Sequence, residues 1–420
     1  MTARRLLVKI HLYTGLFVGL LLVVTGLTGS MLVYREELEA LAHPQLLVSS
    51  GSGERVAVED VVQTVQRAYP AERPFAIRMP RSPRETYLVK LNNAHDRFVY
   101  IDPYSGSILG THRQRESVLG WLALLHTELL AGERGETAVG LGGLLLLVLC
   151  VSGLVVWWPR NGKLSQGFKV QWPARWKKLN FDLHRATGAY AVLFLSVTAA
   201  TGAAFVFNET AIDLVDAVTV SAPRPPAPRI GPARSGASVR TIDALLHAAD
   251  RALPLPTTWI SLPQTPTAPF VVRKKRPNEA HPNGRNFVYL DPRSGTVLQV
   301  ERDLLALRGT RVFNTFYPLH VGAIAGTPTR VLQVVVGLAP LVLLVTGVAM
   351  WANRSRRKPA RPAVRCSAGP FNPLAPGETS RPQCPSSLHQ PGCRFNRLST
   401  RKVLGDWSSR RFSHPRKPTG

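Results

Sequence analysis

Residues 10–34 read IHLYTGLFVGLLLVVTGLTGSMLVY, an apolar stretch of 25 residues without Asp, Glu, Lys or Arg. A helix of about 20 apolar residues crosses the roughly 30 Å hydrocarbon core of a bilayer, so this stretch predicts a membrane-spanning helix. Three further stretches also lack these four residue types, at residues 137–159, 186–208 and 331–353. The sequence therefore predicts an α-helical integral membrane protein with four transmembrane helices.

The positive charge of the chain, +26 in all, is concentrated beside these spans. Residues 353–420 contain 15 Lys or Arg against 2 Asp or Glu, and the segments before the first span and between the second and third are also basic. Basic residues that flank spans stay on the cytoplasmic side. We therefore expect a multi-pass membrane protein with both termini cytoplasmic. Because the positive charge flanks the spans, it indicates contact with membrane lipid and does not indicate nucleic-acid binding.

Internal repetition is the most informative pattern in the chain. The segment HLYTG at residues 11–15 is matched by HRATG at residues 184–188, and VYIDPYSG at residues 99–106 by VYLDPRSG at residues 288–295. Further matches are Thr25, Thr28 and Gly29 with Thr198, Thr201 and Gly202, and, at a constant offset of 194, His126, Gly153 and Trp157 with His320, Gly347 and Trp351. The repetition predicts a duplicated 2+2 arrangement, in which each pair of spans encloses one exported insert.

Each insert has the pattern of a small α+β unit. Helical spacing of apolar residues predicts helices near residues 56–69 and 240–252. Alternating patterns predict strands near residues 86–91, 98–101, 107–109, 269–273 and 286–290. The repeated Asp-Pro-x-Ser-Gly is favoured as a structural turn, because Asp caps it, Pro presets φ and Gly adopts positive φ.

The predicted order along the chain follows from the spans and inserts. It comprises a cytoplasmic start and first span (1–34), an α+β insert (35–117), an interfacial helix and second span (118–160), a basic cytoplasmic loop (161–183), a third span (184–208), a second insert (209–309), an interfacial helix and fourth span (310–353), and a basic, Pro-rich, disordered cytoplasmic tail (354–420).

Four of the eleven histidines occupy equivalent points of the repeat, namely His11, His126, His184 and His320. A polar ring near the membrane core must find a partner, so such a residue is a candidate for function. Imidazole binds iron through a neutral nitrogen, and bis-His haem ligation needs one histidine from each of two facing helices. About 25 residues of helix separate the two ends of a span by over 30 Å, so His11 cannot share an iron with His126. We therefore predict two iron sites, His11 with His184 and His126 with His320.

Glycines beside the first two histidines support this hypothesis. Gly15 and Gly188 follow His11 and His184 by one helical turn and would leave room for a macrocycle. No Cys-x-x-Cys-His occurs, so the predicted cofactors are two non-covalent haems of the b type. Two alternatives stay open. A lone histidine near a helix end is more often an anchor at the membrane interface, and zinc or copper is the next metal that these histidines could bind.

The remaining insert histidines, His43, His95, His112, His247 and His281, have no repeat partner and are expected at the surface. Arg78, Arg81 and Arg84 of the first insert are candidates to attract an anionic ligand, although a solvated basic loop is an equal possibility. No P-loop, Gly-x-Gly-x-x-Gly or Gly-x-Ser-x-Gly motif occurs. Electrons would therefore have to come from a separate donor.

These motifs together resemble the PepSY-associated transmembrane family. The resemblance rests on His-x3-Gly opening a span, Thr-Gly-x-Thr-Gly at residues 25–29, Asp-Pro-x-Ser-Gly in the insert, and Leu-His ahead of the span ending GLVVWW at residues 153–158. It covers about residues 4–353. One departure is Ala199 in the third span, where the first span has Gly26.

The resemblance implies a location in the bacterial inner membrane, PepSY-like periplasmic inserts and a role in iron uptake. Some members of this family reduce ferric siderophores with two b-type haems. The implied haem ligands are His11, His126, His184 and His320, the implied substrate is a ferric siderophore, and the implied electron donor is a cytoplasmic or membrane flavoprotein or quinol. The alternative from another class is a non-enzymatic regulatory protein whose inserts bind periplasmic peptides or partners.

Overall fold

The computed structural model describes residues 3–49, 51–92, 97–159, 162–231 and 240–355. The predicted tail therefore lies outside the described residues from residue 356 onward. The helices are α1 (Ala3–Leu32), α2 (Arg35–Ala42), α3 (Pro44–Leu47), α4 (Val58–Ala68), α5 (Val118–Glu128), α6 (Glu133–Trp157), α7 (Trp176–Val206), α8 (Asn208–Val218), α9 (Ile242–Ala252), α10 (Arg308–Asn314), α11 (Phe316–His320) and α12 (Thr327–Ser355). The strands are β1 (Arg73–Arg78), β2 (Tyr87–Asn92), β3 (Arg97–Ile101), β4 (Ile108–Arg113), β5 (Thr257–Ser261), β6 (Phe270–Lys274), β7 (Asn286–Leu290) and β8 (Val297–Glu301).

Four helices of the described chain are long and apolar enough to cross a membrane, namely α1, α6, α7 and α12. Each packs against two neighbours, so that α1, α6, α7 and α12 follow one another around a bundle and α1 lies across from α7. α7 begins eight residues before His184, so its first two turns occupy part of the predicted cytoplasmic loop. The buried Asp182 explains this extension, because Lys178 and Arg185 pair with it along the same helix.

Small residues set how closely the spans approach. A Cβ on Gly26 would lie 2.5 Å from the carbonyl oxygen of Gly337, so α1 and α12 touch through their backbones. At the matching contact between α7 and α6, a Cβ on Gly143 would lie 3.1 Å from the carbonyl oxygen of Ala199. Close helix packing through small residues is the usual basis of association in membranes. Ala199, the departure from the pattern of the first span, therefore lies at a helix contact.

The inserts form one continuous antiparallel sheet of eight strands, in the order β4-β3-β2-β1-β5-β6-β7-β8. β1 pairs with β5 where the two inserts meet, with Ile77 opposite Ile260. Both isoleucines are fully buried in a hydrophobic core to which α4 and α9 also contribute. We call this sheet with α4 and α9 the insert domain (described residues of 58–113 and 242–301). The sequence predicts two small α+β units, and the structure joins them edge to edge.

The two helices of the insert domain also cap each other. Asp243 of α9 accepts hydrogen bonds from the backbone N–H groups of Val58 and Glu59 at 3.0 Å. In return, Glu59 of α4 accepts one from the N–H of Ile242 at 2.9 Å. The first N–H groups of a helix have no partner within that helix, so a carboxylate there is stabilising. The exchange of caps holds the two halves of the insert domain together.

The segments that lead back to the membrane differ between the two halves. α5 is continuous, as the sequence predicts for an interfacial helix, whereas the second segment is divided into α10, α11 and a short 3-10 turn at Ala323–Ala325. Pro318 explains the break, because it has no N–H to donate and its ring clashes with the carbonyl of Asn314 four residues earlier.

Replacing Ile260 with Ala is expected to lower the free energy of unfolding of the insert domain by about 2–5 kcal/mol, because it opens a cavity in a shared core. Urea unfolding of the protein in detergent measures this loss. Amide hydrogen exchange should accelerate in β1 as well as in β5. Leu298→Ala, at a side chain 38% exposed on β8, is the control. Unchanged protection of β1 in the Ile260 variant would mean that the two inserts fold independently.

Candidate functional site

His11 and His184 face each other across the helical bundle. His11 lies on α1 and His184 on α7, the two helices that stand opposite each other. Their ring centroids are 6.3 Å apart and the ring planes are nearly perpendicular, at 87°. The two rings, which we call the inner pair, therefore meet in the space between helices whose backbones are far apart.

His126 and His320 form a second facing pair, which we call the outer pair. They lie on α5 and α11, the short segments that precede the second and fourth spans. Their centroids are also 6.3 Å apart, with the planes at 59°. The structure thus brings the four histidines together in the two combinations that the sequence predicts, while iron binding itself stays a prediction.

A hydroxyl group fixes the Nδ1 atom of each inner histidine. Nδ1 of His11 lies 3.0 Å from Oγ of Ser152, and Nδ1 of His184 lies 2.9 Å from Oγ1 of Thr346. Each hydroxyl donates its own hydrogen to a carbonyl one turn earlier in its helix, at 2.6 Å. A hydroxyl has one hydrogen, so it must accept from the imidazole. Both inner rings therefore carry their proton on Nδ1.

In each outer histidine, Nδ1 lies near a threonine hydroxyl, as in the inner pair, and also near a backbone carbonyl oxygen. Nδ1 of His126 lies 2.9 Å from the carbonyl oxygen of Thr25 and 3.2 Å from Oγ1 of Thr28. Nδ1 of His320 lies 3.1 Å from the carbonyl oxygen of Thr198 and 3.0 Å from Oγ1 of Thr201. A carbonyl only accepts, so Nδ1 carries the proton and Nε2 keeps a lone pair.

Burial keeps the outer rings neutral. Desolvation lowers the pKa of His126, and it lowers the pKa of His320 to about 4, with a smaller contribution from His126. A neutral imidazole whose Nδ1–H is held by a neighbouring oxygen is the form in which histidine binds a metal through Nε2.

A glycine from the adjacent span lies directly against each of the four rings. A Cβ would lie 2.8 Å from Cε1 of His126 if added to Gly29, and 3.0 Å from Cε1 of His320 if added to Gly202. The corresponding distances are 3.0 Å from Gly153 to His11 and 3.5 Å from Gly347 to His184. Sequence reasoning did not assign these glycines to the site. The signal was present, because each follows the residue whose hydroxyl holds the same ring.

The two glycines that the sequence analysis assigns to the inner site, Gly15 and Gly188, lie one helical turn after His11 on α1 and after His184 on α7. A Cβ on Gly15 would contact Leu149 at 3.7 Å, and one on Gly188 would contact Leu343 at 3.8 Å. Both are ordinary van der Waals distances. Gly15 and Gly188 therefore face the adjacent spans and are not pressed against a histidine ring.

The pairs fit the coordination of one metal ion between two imidazoles. A metal lies about 2.0–2.1 Å from a histidine nitrogen, which is itself about 1.1 Å from the ring centroid, so two rings on opposite sides of one ion have centroids about 6.3 Å apart. Both pairs have this separation. Along α1, His11 and Gly29 are 18 residues apart, which corresponds to about 27 Å of helix. The two sites are therefore separate and lie near opposite ends of the bundle.

The other histidines and arginines differ in part from expectation. The surface prediction for His281 is wrong, because this residue is only 7% exposed and its ring stacks on Tyr317 at 4.9 Å. His112 stacks on Tyr100 at 5.4 Å, and His95 lies outside the described residues. Arg81 forms ion pairs with Glu36 and Glu85, so its charge is compensated.

One comparison with known proteins identifies the family of the chain. A family model described as the PepSY-associated TM region matches residues 8–354, a range that includes all four histidines of the two pairs. A comparison with curated proteins finds no match. Because the family model matches most of the sequence, the chain belongs to the PepSY-associated transmembrane family.

Proposed function

We propose that the protein is an inner-membrane reductase that holds two b-type haems and passes single electrons to a ferric siderophore on the periplasmic side. The observation that carries this proposal is the presence of two facing histidine pairs, each with Nδ1 engaged and Nε2 available, near opposite ends of one helical bundle. Bis-His ligation in a bundle core uses this arrangement.

The proposed orientation places the inner pair on the cytoplasmic side. Basic residues lie at the same end of the bundle as the inner pair, including Arg4 and Lys9 before it on α1 and Lys177 and Lys178 before His184 on α7. Such residues favour the cytoplasmic face. The N- and C-termini are then cytoplasmic and the insert domain is periplasmic. A flavoprotein or quinol at the cytoplasmic or membrane side is the proposed donor.

We also propose that the two halves are duplicated copies in a 2+2 arrangement. His11 contacts Ser152 and Gly153, and His184 contacts Thr346 and Gly347. The partner residues are 194 positions apart, as are His126 and His320. Each pair would thus bring together equivalent histidines of the two copies, so that both pairs are built from both halves.

The protein's own residues would hold, orient and enclose the cofactors. Ser152, Thr346, Thr28 and Thr201 accept from Nδ1–H and would thereby leave Nε2 of each histidine to hold a haem iron. Gly15 and Gly188 are proposed to leave room beside the inner haem, because each lies one helical turn from a histidine of the inner pair. A bound haem supplies one-electron redox chemistry at each pair. The ferric chelate takes up one electron and becomes ferrous, and ferrous iron is held less tightly by hard oxygen ligands.

Haem content distinguishes the pairs directly. The wild type made in haem-replete cells is expected to contain about two haems per chain, and each of the four single His→Ala variants about one. A double variant within one pair, His11→Ala with His184→Ala, should keep about one haem, because both residues serve the same iron. A double variant across pairs, His11→Ala with His126→Ala, should keep none. Haem-to-protein ratios of the purified proteins measure these values.

The control is His247→Ala, at an exposed histidine on α9 without a repeat partner, which should leave the haem content unchanged. A within-pair double variant that lost both haems would contradict the pairing. A colourless wild type would contradict the reductase and favour a peptide- or partner-binding role for the insert domain.

Alanine substitutions of the glycines beside the rings are expected to lower haem content at three of the four positions. Gly29→Ala, Gly153→Ala and Gly202→Ala would place a methyl group within 3.0 Å of a histidine carbon, so the ring must move and haem occupancy at that site should fall. Gly347→Ala is the matched control, because its methyl group would lie at an ordinary 3.5 Å from His184. Reduced absorption spectra of the four variants provide the measurement. Equal haem content in all four would mean that these contacts do not position the rings.

A further inference from the structure

A basic cavity of about 460 Å³ lies beside the outer pair, and the proposed function leaves its role open. Arg224, Arg273, Arg285 and His281 line it together with aromatic and amide side chains. None of the described residues that line it is Asp or Glu. Its volume is within the range of small-molecule binding sites.

The positive charge of this cavity is only partly compensated by the acidic residues around it, among them Asp216, Glu279 and Asp303. Nε of Arg273 donates to the carbonyl oxygen of Gly284 at 2.8 Å, and Nε of Arg285 donates to Oδ1 of Asn314 at 2.8 Å, so both guanidiniums use neutral acceptors. Arg224 forms an ion pair with Asp216 at 3.5 Å, but its buried Nε and Nη2 have no hydrogen-bond partner among the described residues. Buried donors without a partner are costly unless a ligand satisfies them.

Burial and the neighbouring positive charges lower the pKa values of Arg273 and His281. Burial, and after it the charge of Arg285, lowers the pKa of Arg273 to about 10. Burial, with the charges of Arg273 and Arg285, lowers the pKa of His281 to about 3, so this ring is neutral. Anionic ligands relieve such repulsion, and carboxylates match the planar fork of a guanidinium.

Aromatic rings connect the cavity with the outer pair. Tyr317 lines the cavity, stacks on His281 at 4.9 Å and lies three residues before His320 on α11. Phe205, also in the lining, packs edge-on against His320 at 5.4 Å. In the first half of the chain, the position equivalent to Tyr317 is Ala123 and the position equivalent to Phe205 is Leu32. The first half therefore has no aromatic residues at these two positions.

We infer that this cavity binds the substrate, and that the substrate is a ferric chelate of a small polycarboxylate anion. The inference rests on the proposed function for the redox step, in which one electron reduces ferric to ferrous iron and no proton moves. Three guanidiniums bind the carboxylates of the chelate, while Tyr317 and Phe205 separate its iron from the outer pair. The compensated Arg81 of the first insert does not offer such a site.

Binding of gallium(III) citrate, which has the charge of a ferric citrate but is not reduced, tests this assignment without turnover. Equilibrium dialysis of the full-length protein in detergent measures its affinity. Arg273→Gln and Arg285→Gln should each weaken binding by about 10- to 100-fold, because each removes a charge-assisted hydrogen bond. Arg67→Gln, at an exposed arginine on α4, should leave it unchanged. A cationic gallium trihydroxamate should not compete.

Haem content measured in the same samples shows whether the guanidiniums bind the carboxylates of the chelate or those of the porphyrin. Retained haem with weakened gallium citrate binding supports the inference. Loss of the outer haem in the Arg273 and Arg285 variants would overturn it, because the guanidiniums would then hold the carboxylates of the porphyrin. A wild type that does not bind gallium citrate, or arginine variants that bind it normally, would also overturn it. Binding of gallium citrate by a haem-free wild type would support the cavity assignment and contradict the reductase.

Discussion

Each paired imidazole depends on the hydrogen bonding of its Nδ1 atom. A polar ring placed among apolar helices must be satisfied there, and Nδ1 of every paired histidine finds an oxygen on the adjacent span. For the inner pair this oxygen is a hydroxyl that has already given its hydrogen to its own helix. The tautomer, the ring direction and the availability of Nε2 all follow from that order of donation.

The rest of the fold serves to keep those contacts in place. A glycine next to each hydroxyl residue lets the ring lie against the backbone, and small residues such as Gly26 and Gly337 bring the spans close enough for the hydrogen bonds to form. On the insert side, the β1–β5 pairing and the exchange of caps between α4 and α9 tie the two halves into one domain. The outer histidines come from segments that connect this domain to the bundle, so its rigidity also bears on their geometry.

Much of this organisation could be predicted from the sequence, because it depends on local patterns. The four spans follow from length and hydropathy, and the facing histidines follow from the repeat. β1 and β5 were not predicted, although they join the inserts, because strand pairing between distant segments leaves no local signal. The division of the segment around Pro318 and the burial of His281 also depend on tertiary contacts. The glycines beside the rings were visible as repeat matches, but only the structure shows which ring each one touches.

The central claim is that each facing pair holds a single iron through two imidazoles, and low-temperature electron paramagnetic resonance of the oxidised protein tests it most directly. Axial ligand identity and orientation set the electronic state of haem iron. Perpendicular imidazole planes leave two iron orbitals nearly equal in energy, so the inner pair at 87° should give a strongly anisotropic low-spin signal. The outer pair at 59° should give a second, less anisotropic low-spin signal. A high-spin ferric signal, or a protein without any haem signal, would contradict the account.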